Sequence, residues 1–436
     1  MKLNIFFEID YALLFSAILL TVFGVLFIYS ASVTSFGISV STEYARQILW
    51  GTAGVIIALT IAVLNYRRIY YISSYLYLGS LVLLVYTCLF GRVVNGARAW
   101  LGIGSFGIQA SEFAKLTVII FLARFLDSTK NSRNDAWRFT VSCMIVFTPM
   151  TIILLQPDFG TSLVFIAILI SMTFIAGISR RYIVFLIITI ALAGFLIVIP
   201  LWQTHILGKN IPFLLMLSNK KFIIIAISAL SIISGMALFG YIRYKKTYFY
   251  WIGYGAIIAI LAFVISYAGQ KVLKPYQIMR LIVFLDPNVD PRGSGWNIIQ
   301  SITAIGSGGI LGKGYLQGTQ SHYQFLPQQS TDFIFSIYSE EWGFIGGIIV
   351  FLLFLLISMR LIKIMKTTSD PFGCYIVAGI AGMYIFHFLV NVGMTIGIMP
   401  ITGIPLLFMS YGGSALITAM IGIGLALSVY IRRFQY

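Results

Sequence analysis

An all-α polytopic membrane protein is the fold class that this sequence predicts, and three observations predict it. Of 436 residues, 59% are hydrophobic and only 10% are charged, whereas an average soluble domain has about 25% charged residues. The apolar residues come in runs of about 20, the length that crosses a bilayer core. The basic residues sit in short clusters between those runs, as the positive-inside rule produces. A soluble fold cannot hide so much apolar surface in one core, whereas a bilayer solvates it. The 29 Lys plus Arg against 13 Asp plus Glu, a net charge of +16, therefore read as membrane orientation. They do not read as a nucleic-acid surface, and no nucleic-acid partner is expected.

The runs follow in order. The first, Tyr11 to Ala31, is long and lacks a small-residue cleavage site, so it reads as a membrane helix and not as a signal peptide. Gln47 to Leu64 stops at Arg67 and Arg68, and Ile69 to Phe90 precedes a polar, glycine-rich loop with Asn95, Arg98 and Trp100. Ser111 to Leu126 carries Glu112, Lys115 and Arg124. Phe139 to Leu155 ends in Gln156-Pro157-Asp158, Thr161 to Ile178 stops at Arg180 and Arg181, and Ile183 to Leu201 follows. Phe222 to Tyr241 and Phe249 to Ala268 flank Arg243, Lys245 and Lys246. After one long polar stretch, residues 270–339, come Trp342 to Met359, Cys374 to Thr395, and Gly412 to Tyr430. The total is about twelve spans in a single membrane domain covering residues 1–436.

Placing the basic clusters inside puts both termini in the cytoplasm of an inner or plasma membrane. Lys209, Lys220 and Lys221 are the exceptions, since this topology puts them outside. The acidic residues sort differently: Glu8, Asp10, Asp127, Asp135 and Asp370 fall on the cytoplasmic side, and the other eight do not. Glu43, Glu112, Asp158, Asp286, Asp290, Asp332, Glu340 and Glu341 fall on the extracytoplasmic side. Acid groups are scarce here, so their gathering on one face points to chemistry there.

The large extracytoplasmic loop 270–339 carries the main signal, because a loop this long is uncommon unless functional or disordered. Leu281–Leu285, Trp296 and Phe325-Leu326 allow it to pack, which argues against disorder. Asp286-Pro287 and Asp290-Pro291 initiate turns, and glycine-flanked Lys313 suits a phosphate. Turn punctuation alone explains the same residues equally well. Glu112 and Lys115, three apart on one helix face, pair either as a functional group at membrane depth or as an interfacial ion pair that holds the helix end. Asp158 reads as a helix cap with Gly160 close by. Pro400 to Ser414 reads as a broken helix facing a cavity, a backbone that membranes accept only where protein or water covers it. Cys88, Cys143 and Cys374 lie in or beside apolar runs and read as buried small hydrophobes. His205, His322 and His387 stand singly, without metal-ligand spacing, and none is nominated.

Across these loops the sequence resembles the shape, elongation, division and sporulation (SEDS) family. The resemblance rests on Asn95-Gly-Ala-Arg-Ala-Trp-Leu101, Ser111-Glu-Phe-Ala-Lys115, Gln156-Pro-Asp-Phe-Gly-Thr161 and Asp290-Pro-Arg-Gly-Ser-Gly295. It continues through Gln300-Ser301, Ala304–Gly309, Gly312-Lys-Gly314, Gly318-Thr-Gln-Ser321, Phe325-Leu-Pro327, Thr331–Phe335, and Pro405 with Ser410-Tyr-Gly-Gly-Ser414. These strings occur in family order over nearly the whole chain. Gly-Thr-Gln-Ser before Phe-Leu-Pro is closer to the elongation type than to the division type. Three features depart from the family. Gln328-Gln329-Ser330 stands where Glu-x-His is usual, and Trp296 where Tyr is common. The family usually has about ten spans, so residues 202–269 read as an added pair.

The resemblance implies a peptidoglycan glycosyltransferase that polymerises lipid II during elongation and shape maintenance, beside a class B penicillin-binding protein. It implies Asp290 as the catalytic residue. Arg98, Glu112, Lys115, Asp158, Gln300, Lys313, Gln320, Asp332 and Ser410 are the candidate substrate-binding residues. A divalent cation, magnesium or manganese, is the candidate cofactor, with no protein metal ligands nominated. The alternative from another class is a flippase for the same lipid, since broken helices and charges at membrane depth also suit transporters. A purely structural scaffold would not need Asp290.

Overall fold

The structure, a computed structural model, describes residues 8–34, 38, 41–94, 96–103, 106–203, 206, 211, 214, 216–217 and 219–435. Asn95, His205 and Lys209 lie outside the described residues. All of the predicted runs are helical, and ten helices among the described residues are long and apolar enough to cross a membrane. The other two predicted spans are helices of a different kind. One, Ala110–Ser128, carries Glu112, Lys115, Arg124 and Asp127. The other, Phe159–Ile175, has 17 residues, the short end of the spanning range of about 17–25.

The chain divides into two compact units, Met1–Ile178 with Asn297–Tyr436, and Ser179–Trp296. In the first unit the helices are α1 (Tyr11–Ser32), α2 (Glu43–Val63), α3 (Arg67–Phe90), α4 (Ala110–Ser128), α5 (Asp135–Leu155) and α6 (Phe159–Ile175). Three antiparallel strands, β1 (Arg92–Val94), β2 (Ala97–Ile103) and β3 (Phe106–Gln109), join α3 to α4. Trp100 stands opposite Gln109 across β2 and β3.

The same unit's second half closes the bundle. Its long helices are α12 (Ile334–Thr367), α13 (Pro371–Thr395) and α14 (Gly413–Ile431). The helix α2 packs on α14, α6 on α13, α3 on α4, and α1 on α12. The most deeply buried of the candidate spans are α13 and α14. Local chemistry sets the starts: Asp10 accepts from the Leu13 N–H at 3.1 Å, Asn134 from Trp137 at 3.0 Å, and Asp370 from Gly373 at 3.3 Å. Each satisfies a donor that the first helical turn leaves open.

In the second unit, α7 (Arg180–Trp202), α8 (Lys220–Tyr244) and α9 (Thr247–Val272) are followed by the amphipathic α10 (Pro275–Leu285) and a 3-10 turn, Pro287–Val289. The helix α9 packs on both α7 and α8. The turn between α8 and α9 is Lys245-Lys246, with Lys245 left-handed at φ 49°. The basic cluster therefore sits at the tip of a helical hairpin.

The stretch 270–339, expected as a loop, is largely helical. It holds α10, α11 (Ser294–Gly308), a one-turn helix at Thr319–His322 and the first turns of α12. That last helix starts at Ile334 instead of Trp342 and is broken inside: Gly343 has φ 63° and ψ −159°. The break frees backbone groups, and the neighbouring segment takes them up. The Lys313 and Gly314 N–H groups donate to the Glu340 and Glu341 carbonyls at 3.1 and 2.9 Å, and the Phe344 N–H donates to Gly309 at 2.9 Å. A Cβ on Gly343 would lie 2.3 Å from the Gly312 nitrogen. Gly343→Ala is expected to destabilise the detergent-solubilised protein by about 1–3 kcal/mol, the usual scale of left-handed backbone strain. A thermal melt equal to that of the unaltered chain would show that the break tolerates a side chain.

Candidate functional site

Asp290 belongs to the second unit and closes the 3-10 turn at φ −137° and ψ 67°. The preceding Asp286 accepts from the Asn288 N–H at 2.9 Å, which shapes the turn. The Asp290 carbonyl accepts from the Gly295 N–H at 3.0 Å. A Cβ on Gly293 would lie 2.2 Å from Asp290 Oδ2, and one on Gly295 would lie 2.2 Å from the Pro287 carbonyl oxygen. The carboxylate thus occupies the space that any larger residue at 293 would fill. Gly293 packs beside the half-buried carboxylate, and Gly295 beside the Pro287 and Asp290 carbonyls.

The other nominated residues all belong to the first unit. Glu112 and Lys115 are buried, with 2% and 0% exposure, and paired at 2.8 Å. A third partner joins them: Lys115 Nζ lies 3.1 Å from His387 Nε2. Glu112 Oε2 and Ser111 Oγ are buried without a hydrogen-bond partner among the described residues. Asp158 caps α6 through the Thr161 N–H at 3.1 Å and also accepts from Gln109 Nε2 at 2.8 Å. Gln109 directly precedes α4, and its N–H donates to Ser414 Oγ at 3.0 Å. The cap therefore links β3, α6 and the start of α14.

Lys313 Nζ donates to Glu340 Oε1 at 2.7 Å and to Thr319 Oγ1 at 2.8 Å. Glu340, fully buried, also accepts from the Thr319 and Gln320 N–H groups at 2.9 and 3.2 Å. Glu341 accepts from Ser30 Oγ and from the Leu316 N–H at 3.1 Å. Two adjacent buried carboxylates thus fasten segment 313–320, the second of them to α1. Tyr315 reinforces that contact by donating to the Leu26 carbonyl at 3.0 Å. Burial first, and then the Glu341 carboxylate, push the Tyr315 phenol above its ordinary range, so it stays a donor.

Ser410 Oγ accepts from the Leu406 N–H at 2.8 Å, and Gln47 Nε2 donates to the Ser410 carbonyl at 3.0 Å. The Asp332 carbonyl accepts from Asn391 Nδ2 at 2.9 Å. Arg98 is exposed, with its guanidinium 3.3 Å from the Leu89 carbonyl, and Gln300 lies half-buried on α11.

The structure therefore joins Glu112 with Lys115 and Lys313 with Gln320 through Glu340, while Arg98 and Gln300 stand apart from those two clusters. Sequence reasoning passed over His387, Asn391, Glu340 and Glu341 as site residues. Glu340-Glu341 opens an apolar run, and His387 and Asn391 are polar residues four apart inside one; charge or polarity at membrane depth was the available signal. Among the described residues no group of three or more His, Cys, Asp or Glu is placed to hold a metal ion.

The family model described as FTSW_RODA_SPOVE, cell cycle protein, matches residues 11–209 and 210–433. The chain is 47% identical to peptidoglycan glycosyltransferase RodA of Treponema pallidum, over 98% of this chain and 98% of that protein. It is 31% identical to peptidoglycan glycosyltransferase MrdB of Escherichia coli, over 98% of this chain and 94% of that one. A solved structure described as structural coordination of polymerization and crosslinking by a peptidoglycan synthase complex matches with TM-score 0.66 and 26% identity. That match covers 98% of this chain and 99% of the other. The rod shape determining protein RodA of Thermus thermophilus shares the fold, with TM-score 0.61 and 23% identity over 98% of each chain.

Proposed function

The chain belongs to the FTSW_RODA_SPOVE family of cell cycle proteins, and from that premise we propose that it is a peptidoglycan glycosyltransferase polymerising lipid II during cell elongation. The observation that carries this reading is the near-full-length identity to a peptidoglycan glycosyltransferase. The close approach of Gly293 to the half-buried Asp290 carboxylate supports it.

It is a multi-pass inner-membrane protein, with ten helices suited to cross. In the proposed reaction the acceptor sugar hydroxyl attacks the anomeric carbon of a lipid-linked partner. Asp290 takes the hydroxyl proton as general base. The new C–O bond forms as the bond to the polyprenyl pyrophosphate breaks, and that group leaves with the electron pair. Donors must meet the developing charge. Lys115 and Lys313 already carry Glu112 and Glu340, so exposed Arg98 is the nominated cation with no carboxylate on it. Asp158, Gln300, Gln320, Asp332 and Ser410 are assigned to positioning the precursor's sugars and phosphates. A divalent cation is the proposed cofactor, its charge acting on the pyrophosphate. A class B penicillin-binding protein is the proposed partner for cross-linking.

The test is purified protein, labelled lipid II and a gel that resolves glycan strands. Strands are expected; lipid transport across vesicles without strands would establish the flippase instead.

Topology decides which side the chemistry is on. The basic clusters place both termini and the Lys245-Lys246 hairpin tip in the cytoplasm, with Asp290 outside. Residues 202–269 would then be an added pair of crossing helices. Single cysteines at Ser218, Tyr244 and Thr319 test this, although Ser218 lies outside the described residues. Cysteines at Ser218 and Thr319 are expected to react from outside, and one at Tyr244 only after permeabilisation. Protection at Thr319 would put the catalytic stretch on the wrong side and end the mechanism.

A further inference from the structure

Residues 399–412, between α13 and α14, are neither helix nor strand. Such a strap inside a bundle must find partners for its backbone, because no water is at hand to take their place. Glycines make room for it: a Cβ on Gly24 of α1 would lie 2.4 Å from the Met409 carbonyl oxygen, and one on Gly160 of α6 would lie 2.3 Å from that of Thr402. Two side chains of α13 then supply donors to consecutive strap carbonyls. Asn391 Nδ2 lies 2.8 Å from the Ile404 oxygen, and His387 Nδ1 lies 3.0 Å from that of Pro405. They are four residues apart, so one helix face presents both. Both are buried, with 0% and 1% exposure.

Each of these side chains also reaches a second nominated element. Asn391 Nδ2 holds the Asp332 carbonyl at 2.9 Å. His387 Nε2 faces Lys115 Nζ at 3.1 Å, and Lys115 holds Glu112 at 2.8 Å. The protonation pattern follows from the partners. A carbonyl only accepts, so Nδ1 carries the imidazole proton, and Nε2 offers its lone pair to the ammonium. The strap's far end is tied to α2, where Gln47 Nε2 donates to the Ser410 carbonyl at 3.0 Å.

We propose that His387 and Asn391 are positioning residues that register the 399–412 strap against the Glu112–Lys115 pair and the Asp332 turn, so that Ser410, Asp332 and Lys115 move as one body. The proposal rests on the glycosyltransferase reading for its consequence: misplacing these groups slows sugar transfer. His387→Phe removes the acceptor that Lys115 faces beside Glu112 and the donor to the Pro405 carbonyl, whereas His387→Gln keeps one donor and one acceptor on a single side chain. Asn391→Leu removes the donor shared by Ile404 and Asp332.

The experiment uses the full chain in detergent, with two readouts on each variant: kcat and KM for labelled lipid II, and hydrogen–deuterium exchange of segment 399–412. His387→Phe and Asn391→Leu are expected to lower kcat on the order of 10²-fold, the scale of an ångström-sized misplacement. KM should change little, and exchange should rise in the strap and at Asp332. His387→Gln is expected to recover most of both. Unchanged kcat and exchange in His387→Phe, beside an active unaltered chain, overturns the proposal. So does a loss of kcat that tracks only the folded fraction and is not rescued by Gln. An unaltered chain that makes no strands defeats the glycosyltransferase reading instead, and exchange alone then decides whether the strap is coupled.

Discussion

Asp290→Asn is expected to insert and fold normally and to lose glycan polymerisation by roughly 10²–10⁴-fold, the usual contribution of a general base. The amide has the shape of the carboxylate, so the turn survives: its defining bonds run from the Gly295 N–H to the Asp290 carbonyl and from the Asn288 N–H to Asp286. The substitution removes the carboxylate's charge and its capacity to take a proton. A glycan-strand gel beside a thermal melt separates the two. Near-normal strands from that variant would remove Asp290 from the mechanism and return the scaffold and flippase readings to consideration.

The second large effect is energetic. Lys115 and Glu112 form a pair with 0% and 2% exposure, and a buried charge left alone is far costlier than a buried pair. Lys115→Met alone leaves Glu112 charged in an apolar surround and is expected to cost about 3–5 kcal/mol of stability. Replacing both, Glu112→Leu with Lys115→Met, removes the unpaired charge and is expected to cost clearly less than the sum of the single changes. A double-mutant cycle on melting in detergent measures the difference. Strict additivity would mean that the two groups do not interact, against the 2.8 Å contact.

The sequence by itself determined the predominantly helical membrane class and the position of each apolar helix. Those properties are local. Twenty apolar residues must cross or be buried wherever they lie, and Asp290, Gly293 and Gly295 build their turn within six positions. The Asp158 cap was legible for the same reason, since its donor is three residues away. Only the tertiary structure decided what lies across the bundle. His387 reaches Lys115 over 272 positions of sequence, and Ser30 reaches Glu341 over 311. No periodicity encodes such separations, so a lone histidine and a lone asparagine in an apolar run gave no sign of the strap they hold. The break at Gly343 was hidden for a related reason. Hydropathy starts the apolar run at Trp342 and marks no break one residue later, whereas the backbone groups that left-handed Gly343 releases pair with segment 309–314.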